Sequence, residues 1–152
     1  MKVCFPLNRW FGFGIGGDKM YNSELIFFMA PPDQTLQKVV ATRMTTQRNT
    51  RPDFIPSAQT EIYQTISKVE NSTECGQGNI DWTVHRLIDT TGKFGSNISY
   101  SLTVGTDISM LVALPAGIND MTDYNKINGH KGGYRSNFLI SIQSNGNVIQ
   151  PG

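Results

Sequence analysis

The stretch "WFGFGIGGDKMYNSELIFF", residues 10–28, alternates with period two, breaks at a polar turn and resumes as a second apolar run. From Trp10 to Gly16 the odd positions Phe11, Phe13 and Ile15 are apolar, and the even positions Gly12, Gly14 and Gly16 carry no side chain. Successive residues of a strand point to opposite faces, so this pattern predicts a strand with one face on a core and the other bare. The turn "GGDKM" leads to a second predicted strand, Glu24 to Ala30, and places a lone methionine, Met20, at its edge.

The same periodicity continues along the chain, and amphipathic helical spacing is hard to find. Further strands are predicted at Lys38 to Thr45, Trp82 to Ile88, Ile98 to Val104, Ile108 to Leu114 and Phe138 to Ile142, all rich in β-branched or aromatic residues. In "EIYQTISKVE" the alternation of Ile62, Gln64 and Ile66 against Tyr63, Thr65 and Ser67 predicts an edge strand near Ile62 to Val69, with polar connection filling the rest of 52–78. The turn signals "APPDQ", "TRPDF", "TTGKFGSN", "LPAGIND", "GHKGGYRSN" and "QSNGNV" separate these strands, and the C-terminus reads as a tail or a last short strand. Many short strands with such turns predict an all-β, antiparallel β-sandwich with little helix rather than a parallel α/β sheet.

A chain of 152 residues has the size of one domain. Lys plus Arg number 13 against 12 Asp plus Glu, so no basic stripe suited to a phosphate backbone is expected, and nucleic acid is not the expected partner. Only 16% of residues are charged while Ser, Thr, Asn, Gln and Gly abound, a balance typical of extracellular β proteins. Cys4 and Cys75 form no CxxC and are read either as one disulfide or as two free buried thiols. Two sequons, Asn71-Ser72-Thr73 and Asn97-Ile98-Ser99, lie beside turn-forming residues and lean toward a secreted glycoprotein. No apolar run approaches the roughly 18 residues of a membrane span, and "MKVCFPLNRW" lacks the apolar core of a signal peptide.

Enzyme motifs are mostly missing. "GFGIGG" resembles a dinucleotide fingerprint only superficially, because it lies within a strand pattern with no helix behind it. Ser nucleophile elbows, HExxH and CxxCH are absent, and two histidines cannot build a three-imidazole metal site. His85, in "WTVHRLI", reads as a surface or hydrogen-bonded strand residue. His130 is framed by Gly129, Gly132 and Gly133, so a large flat partner could approach its ring; otherwise it is an exposed loop histidine. Met20 has polar neighbours, unlike a methionine filling a core, and a thioether there could serve as a soft axial ligand for iron.

The ordered set "WFGFGIGG....M.NSELIFF", "WTVHRLIDTTGKFGSNISYSLTVGTDISMLVALPAG" and "GHKGGYR" resembles the DOMON family. Within it the likeness is to the haem-binding cytochrome branch, which includes the cytochrome domain of cellobiose dehydrogenase and the DOMON modules joined to membrane ferric reductases. The resemblance spans roughly residues 5–142 and implies an immunoglobulin-like sandwich. With only nine residues before Trp10, it implies one domain over 1–152 whose N-terminal strand is either supplied differently or absent.

By that resemblance Met20 and His130 are the axial ligands, and Arg86 is the family's strand arginine. Glycines at 12, 14 and 16 would admit a porphyrin plane, with Phe11, Phe13, Tyr124 and Tyr134 as pocket walls. Without CxxCH the haem is expected to be noncovalent, b-type. Two axial protein ligands leave iron no open position, which suits outer-sphere electron transfer rather than catalysis. The implied partners are a redox protein or a membrane reductase, and the implied location is extracellular, free or tethered within a longer chain. Two alternatives compete: a haem-free module binding carbohydrate or protein, and a structural subunit that self-assembles through an open sheet edge.

Overall fold

The computed structural model describes residues 1–17, 19–20, 23–43, 53–54, 63–90, 102–115, 129 and 133–151. His130, Tyr124 and Asn97 lie outside them, as does the first part of the strand predicted at Ile98 to Val104. Among the described residues ten strands form: β1 (Lys2–Pro6), β2 (Trp10–Ile15), β3 (Glu24–Met29), β4 (Lys38–Arg43), β5 (Asp53–Phe54), β6 (Tyr63–Glu70), β7 (Asn79–Arg86), β8 (Asp107–Leu114), β9 (Tyr134–Ile142) and β10 (Val148–Ile149). A single-turn 3-10 segment, Gln34–Leu36, follows β3; Asp33 caps it by accepting from the Thr35 amide.

The strands build two antiparallel sheets, one of three strands in the order β1-β7-β6 and one of seven in the order β10-β9-β8-β2-β3-β4-β5. The all-β sandwich expected from the alternation is therefore present. β1 leaves no legible alternation in the sequence, because "KVCFP" is too short and too mixed; it pairs with β7 from Lys2↔Thr83 to Pro6↔Asn79. Residues 102–104, the described remainder of the strand predicted at Ile98 to Val104, are not strand. That segment enters a turn in which Gly105, at φ +82°, takes a conformation a side chain would oppose.

The core lies between the sheets. Phe5, Tyr63, Ile80, Trp82 and Val84 from the small sheet meet Phe13, Ile15, Ile26, Phe28, Val39, Ala41, Ile108 and Met110 from the large one. Trp82, almost fully buried, packs edge-on against Phe28 at 5.4 Å between ring centroids, and Phe5 stacks on it at 6.5 Å. Cys4 and Cys75 form a disulfide with their Cα atoms 5.5 Å apart, which ties β1 to the turn between β6 and β7. The alternative of two free thiols is thereby removed.

Register assigns the side chains of β2 and β3 to faces. Phe11↔Phe28, Phe13↔Ile26 and Ile15↔Glu24 look into the core, and Gly12↔Phe27 and Gly14↔Leu25 look outward. The outer face over β2, β3 and β4 is itself buried, by Trp10, Leu25, Phe27, Met29 and Val40. This explains why β3, unlike a strand with a solvated side, is apolar throughout "LIFFM" and buried at all six positions.

Candidate functional site

Met20 follows β2 by five residues and is partly buried against that outer-face cluster of Trp10, Leu25, Phe27, Met29 and Val40. Its turn is held by Ser23, whose buried hydroxyl donates to the Lys19 carbonyl at 2.8 Å and whose amide donates to the Met20 carbonyl at 3.2 Å. The thioether thus sits at the rim of an apolar surface, on the same side of the sheet as Gly12 and Gly14.

The glycine face is not bare. A Cβ added to Gly12 would meet the Trp10 ring at 3.0 Å and the Phe27 ring at 3.3 Å, and one added to Gly14 would meet Ser23 at 3.0 Å and Leu25 at 3.2 Å. The glycines admit neighbouring side chains: Trp10 and Phe27 meet edge to face above Gly12 with centroids 5.4 Å apart. Gly16 has a different role, adopting φ +94° to leave the strand. The expectation of a clear backbone surface for a porphyrin is corrected on this point.

The predicted aromatic walls are corrected in part as well. Phe11 and Phe13 lie on the opposite face from Met20, within the core, where Phe11 neighbours Phe5 and Phe13 stacks near Phe28 at 5.8 Å. Period two makes this unavoidable, since residues that share parity with Ile15 cannot share a face with Gly12 and Gly14. Tyr134 opens β9 and is 60% exposed, opposite Leu114. His85 is an exposed strand residue, as read from its alternation.

One polar arrangement had no counterpart in the sequence reading. Glu24, the first residue of β3, and Tyr63, the first of β6, meet Arg86, the last of β7, in the core. Arg86 pairs with Glu24 through Nη2 and Oε2, with side chains only 4% and 2% exposed. The Tyr63 hydroxyl donates to Glu24 Oε1 at 2.9 Å and accepts from Arg86 Nε at 3.0 Å, while the guanidinium lies 5.8 Å from the Tyr63 ring centre. Burial, reinforced by the Glu24 carboxylate, raises the Tyr63 phenol well above its ordinary range. The Arg86 guanidinium is held more firmly protonated by Tyr63 and Glu24 together, against the opposing effect of its burial. A glutamate opening an otherwise apolar strand was the available signal for a buried ion pair.

Compared with protein-family models, curated proteins and solved structures, the chain matches none.

A thioether binds soft iron well, and the surface around it is apolar, as a porphyrin edge requires. Of the two expected ligands only Met20 lies among the described residues, and its thioether is a donor type that suits iron. No helix among the described residues is long and apolar enough to cross a membrane.

Proposed function

We propose that this domain is an extracellular b-type cytochrome module that carries single electrons, with Met20 and His130 as the axial ligands of one noncovalent haem. The observation that supports it most is the seat of Met20: a thioether partly buried at the rim of the apolar outer face, in a turn held by Ser23. A bound haem supplies reversible one-electron chemistry at iron. The chain's own work would be to hold the group through Met20 and His130 and to leave no protein-side position for substrate. The partner is a redox protein or a membrane reductase, and the domain is not itself a catalyst.

The filled groove over Gly12 favours a second reading, a haem-free module of the same fold that binds carbohydrate or protein. Self-assembly through a sheet edge is a third, and the edges differ in how well they suit it. β6 carries a bulge between Thr65 and Ser67 and turns Lys68 inward over the Trp82 ring at 5.2 Å, both features that discourage strand addition. Of the small sheet's two edges, β1 is therefore the better suited.

Met20→Ala and His130→Ala separate the readings. Under the cytochrome reading each loses the paired-ligand optical spectrum while the sandwich stays folded; a spectrum unchanged in both variants refutes the ligand assignment.

A further inference from the structure

The turn between β6 and β7 contains the sequon Asn71-Ser72-Thr73, and its geometry bears directly on the chemistry that sequon invites. Asn71 is exposed and adopts φ +54°, a left-handed conformation that asparagine tolerates better than most residues. Its two amide atoms have separate situations. Oδ1 accepts the Gly78 amide at 2.7 Å and so fixes the turn, whereas Nδ2 makes no hydrogen bond among the described residues. Thr73 is also exposed and takes no part in the turn's hydrogen bonds.

We infer that Asn71 is an acceptor for an N-linked glycan, attached while the chain is still open and before Cys75 pairs with Cys4. In the transfer the Asn71 nitrogen forms a bond to the anomeric carbon of a lipid-pyrophosphate-linked oligosaccharide. The bond from that carbon to the pyrophosphate oxygen breaks, one amide proton is lost, and lipid pyrophosphate leaves. The product is a secondary amide that keeps its carbonyl, so the bond from Gly78 to Oδ1 survives and the folded turn accommodates the modification.

Timing follows from the same hydrogen bonds. Once folded, the Asn71 amide is bound to the Asn79 carbonyl, Ser72 accepts from Gly76 through its carbonyl and from Cys75 through its hydroxyl, and the disulfide lies only two residues beyond Thr73. A transferase that must extend the sequon backbone cannot engage this closed turn. The inference rests on the extracellular location in the cytochrome reading, not on haem, and uses none of the haem-binding residues.

The test has two arms, both on the full chain. Directed through a eukaryotic secretory pathway, the wild type and the Asn97→Gln variant are expected to carry a glycan on Asn71 by peptide mapping, and Thr73→Ala to lack it while secreting and folding normally. A secreted, disulfide-bonded wild type with Asn71 unmodified overturns the acceptor assignment. In the second arm, unglycosylated protein is presented to purified oligosaccharyltransferase with its lipid-linked donor. The reduced, unfolded chain is expected to be modified and the folded, disulfide-bonded chain to be refractory; equal modification of both overturns the timing.

Discussion

Arg86 at the end of β7 and Glu24 at the start of β3 join the two sheets through an ion pair sealed in the core, with each side chain no more than 4% exposed. Removing one member leaves the other charged and without its counterion, which costs about 3–5 kcal/mol for a buried pair. Glu24→Ala is therefore expected to lower unfolding free energy by that amount, and the double replacement of Glu24 and Arg86 by methionine to recover most of it. Chemical denaturation of the three proteins measures both. A loss under about 1 kcal/mol in the single variant would show the pair to behave like an exposed one.

Tyr63 gives the pair its pH dependence. Its phenol titrates above the ordinary value of 10.0 in the fold, because burial and the Glu24 carboxylate oppose the anion. Above that value the unfolded chain releases a proton that the folded chain retains, so unfolding becomes easier as pH rises. The stabilisation is complete below pH 10.0 and is lost progressively toward the higher folded value, at up to about 1.4 kcal/mol per pH unit. The stability gap between wild type and Tyr63→Phe is thus expected to narrow above that pH in denaturant titrations, and a constant gap through the alkaline range would contradict the assignment.

The opening stretch shows what local pattern can and cannot carry. Alternation at Phe11, Phe13 and Ile15 locates β2 and its core face, because the period of a strand is a property of adjacent residues. What lies against the other face depends on Phe27 and Leu25, brought there by pairing with β3, so glycine reads as empty where the fold fills it with rings. The buried ion pair was hidden for the same reason: Glu24 and Arg86 lie 62 residues apart and meet only when two sheets stack. Met20 was legible as an oddity, a methionine among polar turn residues, and the fold gives it an apolar neighbourhood that its sequence neighbours do not.

Gly12 and Gly14 are expected to resist enlargement. Their added Cβ atoms would come within 3.0 Å of the Trp10 ring and of Ser23 respectively, with Phe27 and Leu25 close behind. Overpacking of this kind costs about 1–3 kcal/mol. Thermal unfolding of Gly12→Ala and Gly14→Ala should show that loss, and a gain in stability from either would mean the outer face is looser than its contacts indicate.

The disulfide closes a loop across a sequence separation of 71 residues. Loop-closure entropy at that length corresponds to about 4 kcal/mol. The Cys4→Ser, Cys75→Ser double variant is expected to lose stability of that order while Phe5, 2% exposed, still anchors β1 in the core. Denaturant midpoints compared with and without reductant provide the check; coincident midpoints for wild type in the two conditions would contradict it.

Thr42 Oγ1 is buried and has no hydrogen-bond partner among the described residues. Replacing such a hydroxyl by a methyl group of similar shape removes a polar atom buried without compensation. Thr42→Val is expected to be neutral or stabilising by about 1 kcal/mol in equilibrium unfolding, and a clear loss would show that the hydroxyl serves a partner.

The cytochrome reading meets its most direct test in the optical spectrum of the native protein, recorded oxidised and then reduced with dithionite. A Soret band with sharp reduced α and β bands, characteristic of low-spin haem bound by methionine and histidine, is the expected result. Native protein without a Soret band, and unable to acquire one when haem is added, would remove Met20 and His130 as ligands and leave the haem-free binding module in place.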